Sequence, residues 1–320
     1  MRPLSPSEAA ALPPPSGPSR LAEVLAGHDH RQAAALLPAR RWSGTKHHHG
    51  AALIISGHRR YPGATLLATR AALRSGVGRV SVVAPAAAAA ALAGHAPEAV
   101  VHRPPGDFPT LSPQFLETVE PLLRAATAVL VGPGIGTDPE VANFLEGLLE
   151  LPRGDAPIII DADAINLAAQ LPLDLKRLGG RLVLTPHHLE MARLLDRAPE
   201  LIESARLESA RELAAALGCT VALKGPSTLI VDARERVRVS PWRLSGLAKA
   251  GAGDVLAGLM AGLLAQTPER HPADAAALAV YLHGLAGAIA SERQSEFAAT
   301  PSDTIASLGR AFNQLAQVKM

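Results

Sequence analysis

The sequence predicts an α/β protein, a three-layer sandwich in which a mostly parallel central sheet is flanked by helices on both faces. Short runs of Ala, Leu, Val and Ile are apolar at successive positions, which is typical of strands buried on both faces of a sheet. These runs alternate with longer segments of helical character, as expected for parallel strands joined by crossover helices. Because aromatic residues make up only 3% of the 320 residues, we expect a core of aliphatic and small side chains.

The predicted strands are short apolar runs that end where a glycine, a proline or a polar residue stops them. They cover residues 51–56, 79–84, 127–131, 157–161, 181–184, 219–223 and 228–231. Longer segments between and after these runs are predicted to be helices, and the segment that follows Asp254 is apolar all round, which indicates burial. They cover residues 63–75, 86–91, 139–149, 189–195, 201–217, 254–265, 273–292 and 304–317.

The chain is expected to consist of an extension followed by one domain. Residues 1–40 are a Pro- and Ala-rich N-terminal extension whose start is predicted to be flexible or extended. Residues 41–320 are long enough for one large α/β domain, and they contain no convincing internal repeat.

Charge and cysteine content favour a cytoplasmic protein without nucleic-acid or membrane partners. The formal net charge is +2, and Lys/Arg runs with interleaved aromatics are absent, so nucleic-acid binding is not expected. Cys219 is the single cysteine, so no intrachain disulfide forms and a reducing compartment fits. We expect neither a signal peptide nor a segment long and apolar enough to span a membrane.

The most informative motif lies at residues 246–258, where small residues lead into an aspartate and then into an apolar helix. Small residues let the backbone turn tightly, and the unpaired N–H groups at a helix N-terminus bind anions. A carboxylate repels a bound anion, so an aspartate at this position indicates a catalytic role. We therefore predict that Gly251, Ala252 and Gly253 form an anion hole. Asp254 is predicted to be the general base that takes a proton from a substrate hydroxyl.

Glycine and polar residues gather after the predicted strands, at the edge where open α/β sheets bind their ligands. For any one stretch, a strand that simply ends at Gly or Pro is an equally good explanation. Their agreement with the anion-hole motif favours an active-site rim. The stretches are residues 56–57, 132–136, 161–163, 185–187 and 224–225.

Two glycine-containing loops are candidates for ligand binding. Residues 132–136 (Gly-Pro-Gly-Ile-Gly) lie between a strand and a helix and would bring their backbone close to a phosphate or a ribose. The dinucleotide-binding glycine spacing is absent from them. Residues 224–228 (Lys-Gly-Pro-Ser-Thr) link two strands, and their amide and hydroxyl groups suit an adenylate. An ordinary hairpin turn explains the second loop equally well.

Acidic and imidazole side chains at the predicted rim have competing explanations. Two acids as close as Asp161 and Asp163 suit a Mg²⁺ ion held through water. We favour Asp161 for that role and helix capping for Asp163. Glu190 lies in a predicted first helical turn, where capping explains it. An exposed His187 is harder to explain without a ligand.

The three histidines at residues 47–49 are expected to form a solvated loop near the active-site rim. Metal ligands must converge, whereas consecutive side chains point apart, so no metal is assigned to them.

Taken together, these motifs resemble the NAD(P)H-hydrate dehydratases, a family of the ribokinase-like superfamily. The resemblance covers about residues 45–318, and it is the combination of motifs in one order that is specific. The matching segments are residues 46–50 with Gly57, 61–64 with 71–76, 132–136, 161–166 with 185–187, and 224–228 with 246–258.

This resemblance implies a ribokinase-like domain that repairs NAD(P)H damaged by hydration. The S epimer of the hydrate is dehydrated with ADP or ATP as co-substrate and with Mg²⁺, and its hydroxyl is thought to be phosphorylated before phosphate leaves. Asp254 is then the base, beside the anion hole. The implied nucleotide-binding residues are Lys224, Gly225, Pro226, Ser227, Thr228 and Gly253. The implied substrate-binding residues are Ala64, Gly134, Gly136, His187 and Asp254.

The resemblance also implies a homotetramer and a separate epimerase. Bifunctional members of the family carry an epimerase domain at the N-terminus, and residues 1–40 are too few for such a domain. We therefore expect the epimerase to be another protein.

Several residues depart from the family pattern. His47 and His49 stand where glycine and an aromatic residue are usual, and Leu189 replaces a common glycine. Lys249 stands at a usual threonine, and Ala252 at a usual threonine or serine. We expect activity to be retained, with a changed nucleotide preference and with Lys249 reaching a phosphate in place of the missing hydroxyl.

Two other functions share part of this pattern. A ribokinase-like kinase of a small vitamin-precursor alcohol would keep the glycine turn and its aspartate. A nucleotide-binding regulator without catalysis would account for the altered anion hole. The stretches 161–163 and 185–187 favour the dehydratase.

Overall fold

A computed structural model describes residues 28–40, 42–152 and 154–318 of the chain. The start of the chain, predicted to be a flexible leader, lies outside the described residues. Within them, a nine-stranded sheet has the order β3-β2-β1-β4-β5-β6-β7-β8-β9. The strands are β1 (Ala51–Ile55), β2 (Arg79–Val83), β3 (Val100–His102), β4 (Ala128–Val131), β5 (Ile158–Ile160), β6 (Leu182–Leu184), β7 (Thr220–Leu223), β8 (Leu229–Asp232) and β9 (Val237–Val239).

The sheet is parallel from β3 to β7, and β8 and β9 join it antiparallel. Every predicted strand is present within a residue or two of its expected bounds. β3 and β9 were not predicted, because each has three residues at an edge of the sheet, too few to establish a periodicity.

Helices cover both faces of the sheet, which confirms the predicted three layers. One apolar cluster lies between the sheet and the first and last helices of the chain, and a second lies between the opposite face and the helices in the middle of the chain. The helices are α1 (His28–Ala35), α2 (Pro62–Arg74), α3 (Ala86–Ala93), α4 (Leu116–Ala125), α5 (Pro139–Glu150), α6 (Asp163–Ala168), α7 (His188–Leu194), α8 (Pro199–Ser204), α9 (Arg206–Leu217), α10 (Ala252–Gln266), α11 (Pro272–Ala298) and α12 (Pro301–Gln317).

Three helical assignments differ from the prediction. The predicted helix over residues 201–217 is two helices, α8 and α9, separated at Ala205 by a backbone of φ −130° and ψ 47°. Neither α4 nor α1 was predicted. α1 lies in the segment set apart as an extension, yet its Ala33 and Ala34 belong to the core and His30 Nδ1 lies 2.7 Å from the Tyr281 hydroxyl.

The prediction that no segment is long and apolar enough to span a membrane is wrong for α11. This helix has 27 residues and a mean hydropathy of 1.4 in its most apolar window, but 94% of that window is buried inside the protein. Its apolarity is therefore that of a core helix packed between the sheet and neighbouring helices.

Glycines let α10 pack unusually close to α2. A Cβ placed on Gly258 would lie 2.0 Å from the carbonyl oxygen of Ala68, and this oxygen belongs to a rigid helix backbone. The contact aligns α10, whose N-terminus carries Asp254, with the sheet.

Gly258→Ala is expected to destabilise the protein by about 1–3 kcal/mol, because the added methyl group forces the two helices apart. The measurement is the urea midpoint of unfolding. Gly309→Ala is the matched control: Gly309 lies in α12 with no atom within 4 Å of its Cβ position. The control should be neutral or more stable by up to about 1 kcal/mol, since alanine is the better helix former. Equal shifts in the two variants would contradict this account of the packing.

Candidate active site

The stretches predicted to form a rim do lie along one edge of the sheet. β1, β4, β5, β6 and β7 are neighbours and run parallel, so the residues after their carboxyl ends adjoin one another. Hydrogen bonds tie the first two loops together. The Ser56 hydroxyl donates to the Pro133 carbonyl at 2.6 Å, and the Gly57 N–H donates to the same oxygen at 3.2 Å.

The predicted anion hole is the first turn of α10. Gly251 is the N-cap residue with φ 92°, a conformation that favours glycine, and a Cβ there would lie 2.6 Å from Leu67 Cδ1. α10 begins at Ala252, so the N–H groups of Ala252 and Gly253 belong to the first turn, where helical N–H groups lack carbonyl partners inside the helix. The Ala252 N–H donates to the Lys249 carbonyl at 3.1 Å, as in a tight turn.

Asp254 lies in this first turn and has an unusual pKa. Burial is the main cause, and the neighbouring carboxylates of Asp161 and Asp163 add to it, so that the pKa rises to about 7 despite the opposing charge of Lys224. A carboxyl group that is half ionised at neutral pH is suited to accept a proton from a hydroxyl group.

Lys224 connects residues 224–228, the predicted nucleotide-binding loop (the nucleotide loop below), to the acidic residues. Its Nζ lies 2.8 Å from Asp161 Oδ1 and 3.6 Å from Glu190 Oε2, and all three side chains are largely buried. Burial by itself lowers the pKa of Lys224, but the two carboxylates outweigh it and raise that pKa. The Thr185 hydroxyl also donates to Asp161 Oδ1, at 2.6 Å. Lys224 is therefore a fixed positive charge at the rim.

A pocket of about 780 Å³ opens between the nucleotide loop and α10. This volume lies within the range of small-molecule sites. Of the residues predicted to bind nucleotide, Lys224, Gly225, Pro226, Thr228 and Gly253 line it, as does the anion-hole residue Ala252.

Ser227 is not among the residues that line this pocket. Its hydroxyl donates to the Ser240 carbonyl at 2.6 Å and thus ties the loop between β7 and β8 to the residue that follows β9. This side chain therefore has a structural role in the loop, and its contact with a nucleotide stays a prediction.

Three pocket or loop residues were missed by sequence reasoning. Arg206, from α9, donates to the carbonyls of Leu223 and Ser227 at 3.3 and 3.2 Å. These bonds hold the nucleotide loop in place. Trp242 and His283 line the pocket, and burial lowers the pKa of His283 to about 4, so its ring is neutral. No local motif marks them, because they come from a loop and an apolar helix that only the fold brings together.

The predicted substrate residues Ala64, Gly134 and Gly136 lie together. A Cβ on Gly134 would be 2.7 Å from the Ala64 Cβ. The prediction that Asp163 caps a helix is wrong: the N-cap of α6 is Ala162, and Asp163 Oδ2 instead accepts a hydrogen bond of 2.9 Å from the Gly136 N–H. Asp163 thus fixes the glycine loop.

His58 supports the same loop and was also missed. Its buried ring lies 3.1 Å from the Cβ position of Gly136, and its Nε2 lies 2.8 Å from Asp138 Oδ2.

His187 has a structural explanation, contrary to the sequence-based expectation. It is the N-cap residue of α7, where its Nδ1 accepts from the N–H groups of Leu189 and Glu190 at 3.1 and 3.3 Å. Glu190 completes the capping box by accepting from the His187 N–H at 2.7 Å. Burial and the nearby Lys224 lower the pKa of His187 to about 4, so this half-exposed ring is neutral.

The histidine run does not lie near the rim, and that prediction is wrong. The run belongs to a short 3₁₀ helix, Lys46–His49, that precedes β1 and therefore lies at the amino edge of the sheet. Gly50 packs against the Ala265 carbonyl at the C-terminal end of α10. Because α10 has 15 residues and is about 22 Å long, Asp254 lies at its far end.

Lys249 does not act as predicted either. Its ammonium group donates to the backbone carbonyls of Glu296, Phe297 and Ala299. An ammonium has three N–H donors, so none is left for a phosphate.

The fold and the site together define a ribokinase-like α/β protein with a pocket at a helix N-terminus. A ribokinase-like superfamily protein from Enterococcus faecalis is similar in structure, with a TM-score of 0.77 and 27% identity over 90% of this chain and 95% of that chain. A family model described as NAD(P)H-hydrate dehydratase matches residues 52–309. The chain belongs to the NAD(P)H-hydrate dehydratase family.

Two further proteins similar to this chain are named for the dehydration or the repair of NAD(P)H hydrate. The ADP/ATP-dependent NAD(P)H-hydrate dehydratase of Bacillus subtilis, co-crystallised with ATP/Mg²⁺, has a TM-score of 0.75 and 26% identity over 89% of this chain and 97% of that chain. The bifunctional NAD(P)H-hydrate repair enzyme Nnr of Moorella thermoacetica is 36% identical over 270 residues, 84% of this chain and 50% of that protein. The chain spans about half the length of the curated relatives it matches.

Proposed function

We propose that this protein dehydrates the S epimer of hydrated NAD(P)H back to NAD(P)H, with ADP or ATP as co-substrate. The observation that carries the proposal is the position of Asp254, a carboxyl group with a pKa of about 7 in the first turn of α10, next in sequence to Gly253, which lines a nucleotide-sized pocket. Membership of the family supplies the identity of the substrate.

In the proposed reaction, the nucleotide occupies the pocket and the hydrate lies against the loops that carry Ala64, Gly134 and Gly136. Asp254 removes the proton of the substrate hydroxyl, whose oxygen attacks the terminal phosphoryl group. In the Gly251-Ala252-Gly253 turn, the N–H groups of Gly251 and Gly253 stabilise the charge that develops on that group, while the Ala252 N–H holds the turn by donating to the Lys249 carbonyl. Phosphate then leaves with the hydroxyl oxygen, and the adjacent ring carbon loses a proton to water as the ring double bond forms.

Mg²⁺ fits this site mainly as a partner of the nucleotide phosphates. Within the described residues, no group of three or more His, Cys, Asp or Glu side chains is arranged to hold a metal ion. Asp161 Oδ2 is buried without a hydrogen-bond partner, and we propose it as the protein's contact to the ion or to its water shell. When bound, Mg²⁺ neutralises charge on the phosphate oxygens.

A homotetramer and an epimerase supplied by another protein stay predictions that rest on the family resemblance. A cytoplasmic location stays a prediction that rests on the single cysteine, Cys219, and on the charge. The role of His187 as a substrate contact is a proposal as well. Its side chain is partly exposed on a ring held by α7, although its Nε2 lies 3.4 Å from Glu190 Oε1, and partial exposure is compatible with that role.

The test is the return of NADH absorbance when the purified chain is mixed with hydrated NADH, Mg²⁺ and ADP or ATP. Activity is expected only with nucleotide present, and an omission of nucleotide is the control. Absence of NADH formation with either nucleotide would refute the proposal. Consumption of ATP with a thiazole or pyrimidine alcohol would point to the kinase alternative, and tight ADP binding without any turnover to a regulator.

The rate is expected to depend on pH through Asp254. The base must be ionised, so log(kcat/KM) should fall by about one unit per pH unit below pH 7 and level off above it. The measurement is a pH–rate profile from about pH 5 to 9, roughly two units on either side of the expected pKa. A profile that stays flat down to about pH 5 would exclude Asp254 as the base.

A further inference from the structure

The ammonium group of Lys249 sits among backbone carbonyl oxygens at the end of α11. Nζ lies 3.2 Å from the Glu296 oxygen and 2.8 Å from the Phe297 oxygen, and the Ala299 oxygen is its third acceptor. These carbonyls follow a break in the helix at Ser295, which has φ 72° and ψ 158°. Carbonyls at the end of a helix lack partners within the helix, so a cation stabilises them.

This carbonyl-bearing turn, residues 295–299, packs against the chain that leads into the anion hole. A Cβ on Gly246 would lie 3.4 Å from Glu296 Cα, and the Ser245 hydroxyl donates to the Glu296 carboxylate. On the other side, the Cβ position of Gly251 is 3.4 Å from Pro301 Cγ. Along the chain, Lys249 lies between Gly246 and Gly251, two residues before the anion hole begins.

We propose that Lys249 is a built-in monovalent cation that fills a carbonyl cage and thereby holds the Gly251-Ala252-Gly253 turn in place. Carbonyl oxygens that converge on one point replace the hydration shell of an ion such as K⁺. An ammonium group carries the same single charge and is of similar size, and its three N–H groups match the three carbonyls. Lys249 is a positioning residue, because its donors are taken by the backbone.

If Lys249 replaces a bound ion, the melting temperature and turnover of the unchanged protein should not depend on added monovalent cations. Both should depend on them when the lysine side chain is shortened. The kinetic part rests on the proposed function. The stability part does not, because it concerns only the folded chain.

The experiment compares the melting temperature of the full chain in KCl and in tetramethylammonium chloride at equal ionic strength. The unchanged protein should melt at the same temperature in both salts. Lys249→Ala should melt lower in tetramethylammonium chloride and recover in KCl, because K⁺ enters the vacated cage. Lys249→Met, whose uncharged side chain fills the space, should not recover. Lys176→Ala, at an exposed position, is the matched control and should behave as the unchanged protein.

The same variants are then assayed for turnover. Lys249→Ala should lose kcat by about 10–100-fold, as misplacement of a catalytic group by roughly 1 Å does, with a much smaller change in nucleotide KM. KCl should restore part of the loss. A Lys249→Ala protein that melts and turns over as the unchanged one does, or a loss that KCl does not reverse, would overturn the proposal. If the unchanged protein has no dehydratase activity, the proposed function fails. The melting comparison still tests the proposal about Lys249.

Discussion

Asp254→Asn is expected to lower kcat by about 10²–10⁴-fold, the contribution of a positioned general base. Asparagine has the same shape but no basic oxygen pair, so the pocket and its nucleotide affinity should be largely unchanged. The measurements are turnover of hydrated NADH and nucleotide binding by calorimetry. Asp155→Asn, at an exposed carboxylate, is the matched control and should keep the normal rate.

The same variant has an expected stability signature. The pKa of Asp254 is raised in the folded protein, where the protonated form is favoured. The free energy of unfolding of the unchanged protein therefore falls as pH rises from 3.8 towards about 7 and Asp254 ionises. Asparagine imitates the protonated form at every pH. The melting temperature of Asp254→Asn should therefore exceed that of the unchanged protein by an amount that grows over this range and is constant above it. A near-normal rate in this variant would rule out the base assignment.

Lys224→Met should cost about 3–5 kcal/mol in the free energy of unfolding, the usual effect of removing one partner from a buried ion pair. The loss leaves the buried carboxylates of Asp161 and Glu190 facing each other without a cation. Lys176→Met, at an exposed position, should stay within about 0.5 kcal/mol. Urea unfolding at pH 7 gives both values.

Two further results would separate the electrostatic explanation from simple loss of packing. Adding Glu190→Gln and Asp161→Asn to Lys224→Met should return part of the lost stability, because no buried charge then stays unpaired. In addition, Lys224 holds down the pKa of Asp254. Its removal should move the midpoint of the pH–rate profile above 7. A triple variant no more stable than the single one would contradict the ion-pair explanation.

Both predictions concern one connected group of charges. Asp161 accepts from Thr185 and pairs with Lys224, while Lys224 also approaches Glu190, which caps α7 together with His187. The charge of Asp254, the proposed base, is therefore set by residues that also fix the loops after β5, β6 and β7. The same side chains hold these loops in place and set the pKa of Asp254. Glu190 both caps α7 and belongs to this group of charges, so helix capping alone was a plausible explanation for it.

The sequence by itself determined the layers, seven of the nine strands found in the described residues, and the position of the proposed base at the start of a helix. A run such as 158–160, apolar at every position, is a buried strand in whatever order the strands pair. The small residues before Asp254 require a tight turn into a helix wherever that helix packs. These features depend on neighbours along the chain, so local periodicity and turn chemistry suffice to predict them.

Only the tertiary structure decided which distant groups meet. Lys224 pairs with Asp161, 63 positions away along the chain, and Lys249 reaches carbonyls 47 to 50 positions away. The placement of the histidine run at the amino edge, far from the base, was decided in the same way. Charge–charge and hydrogen-bond energies depend on distance in space, and a chain position fixes that distance only after the strand order and helix packing are known.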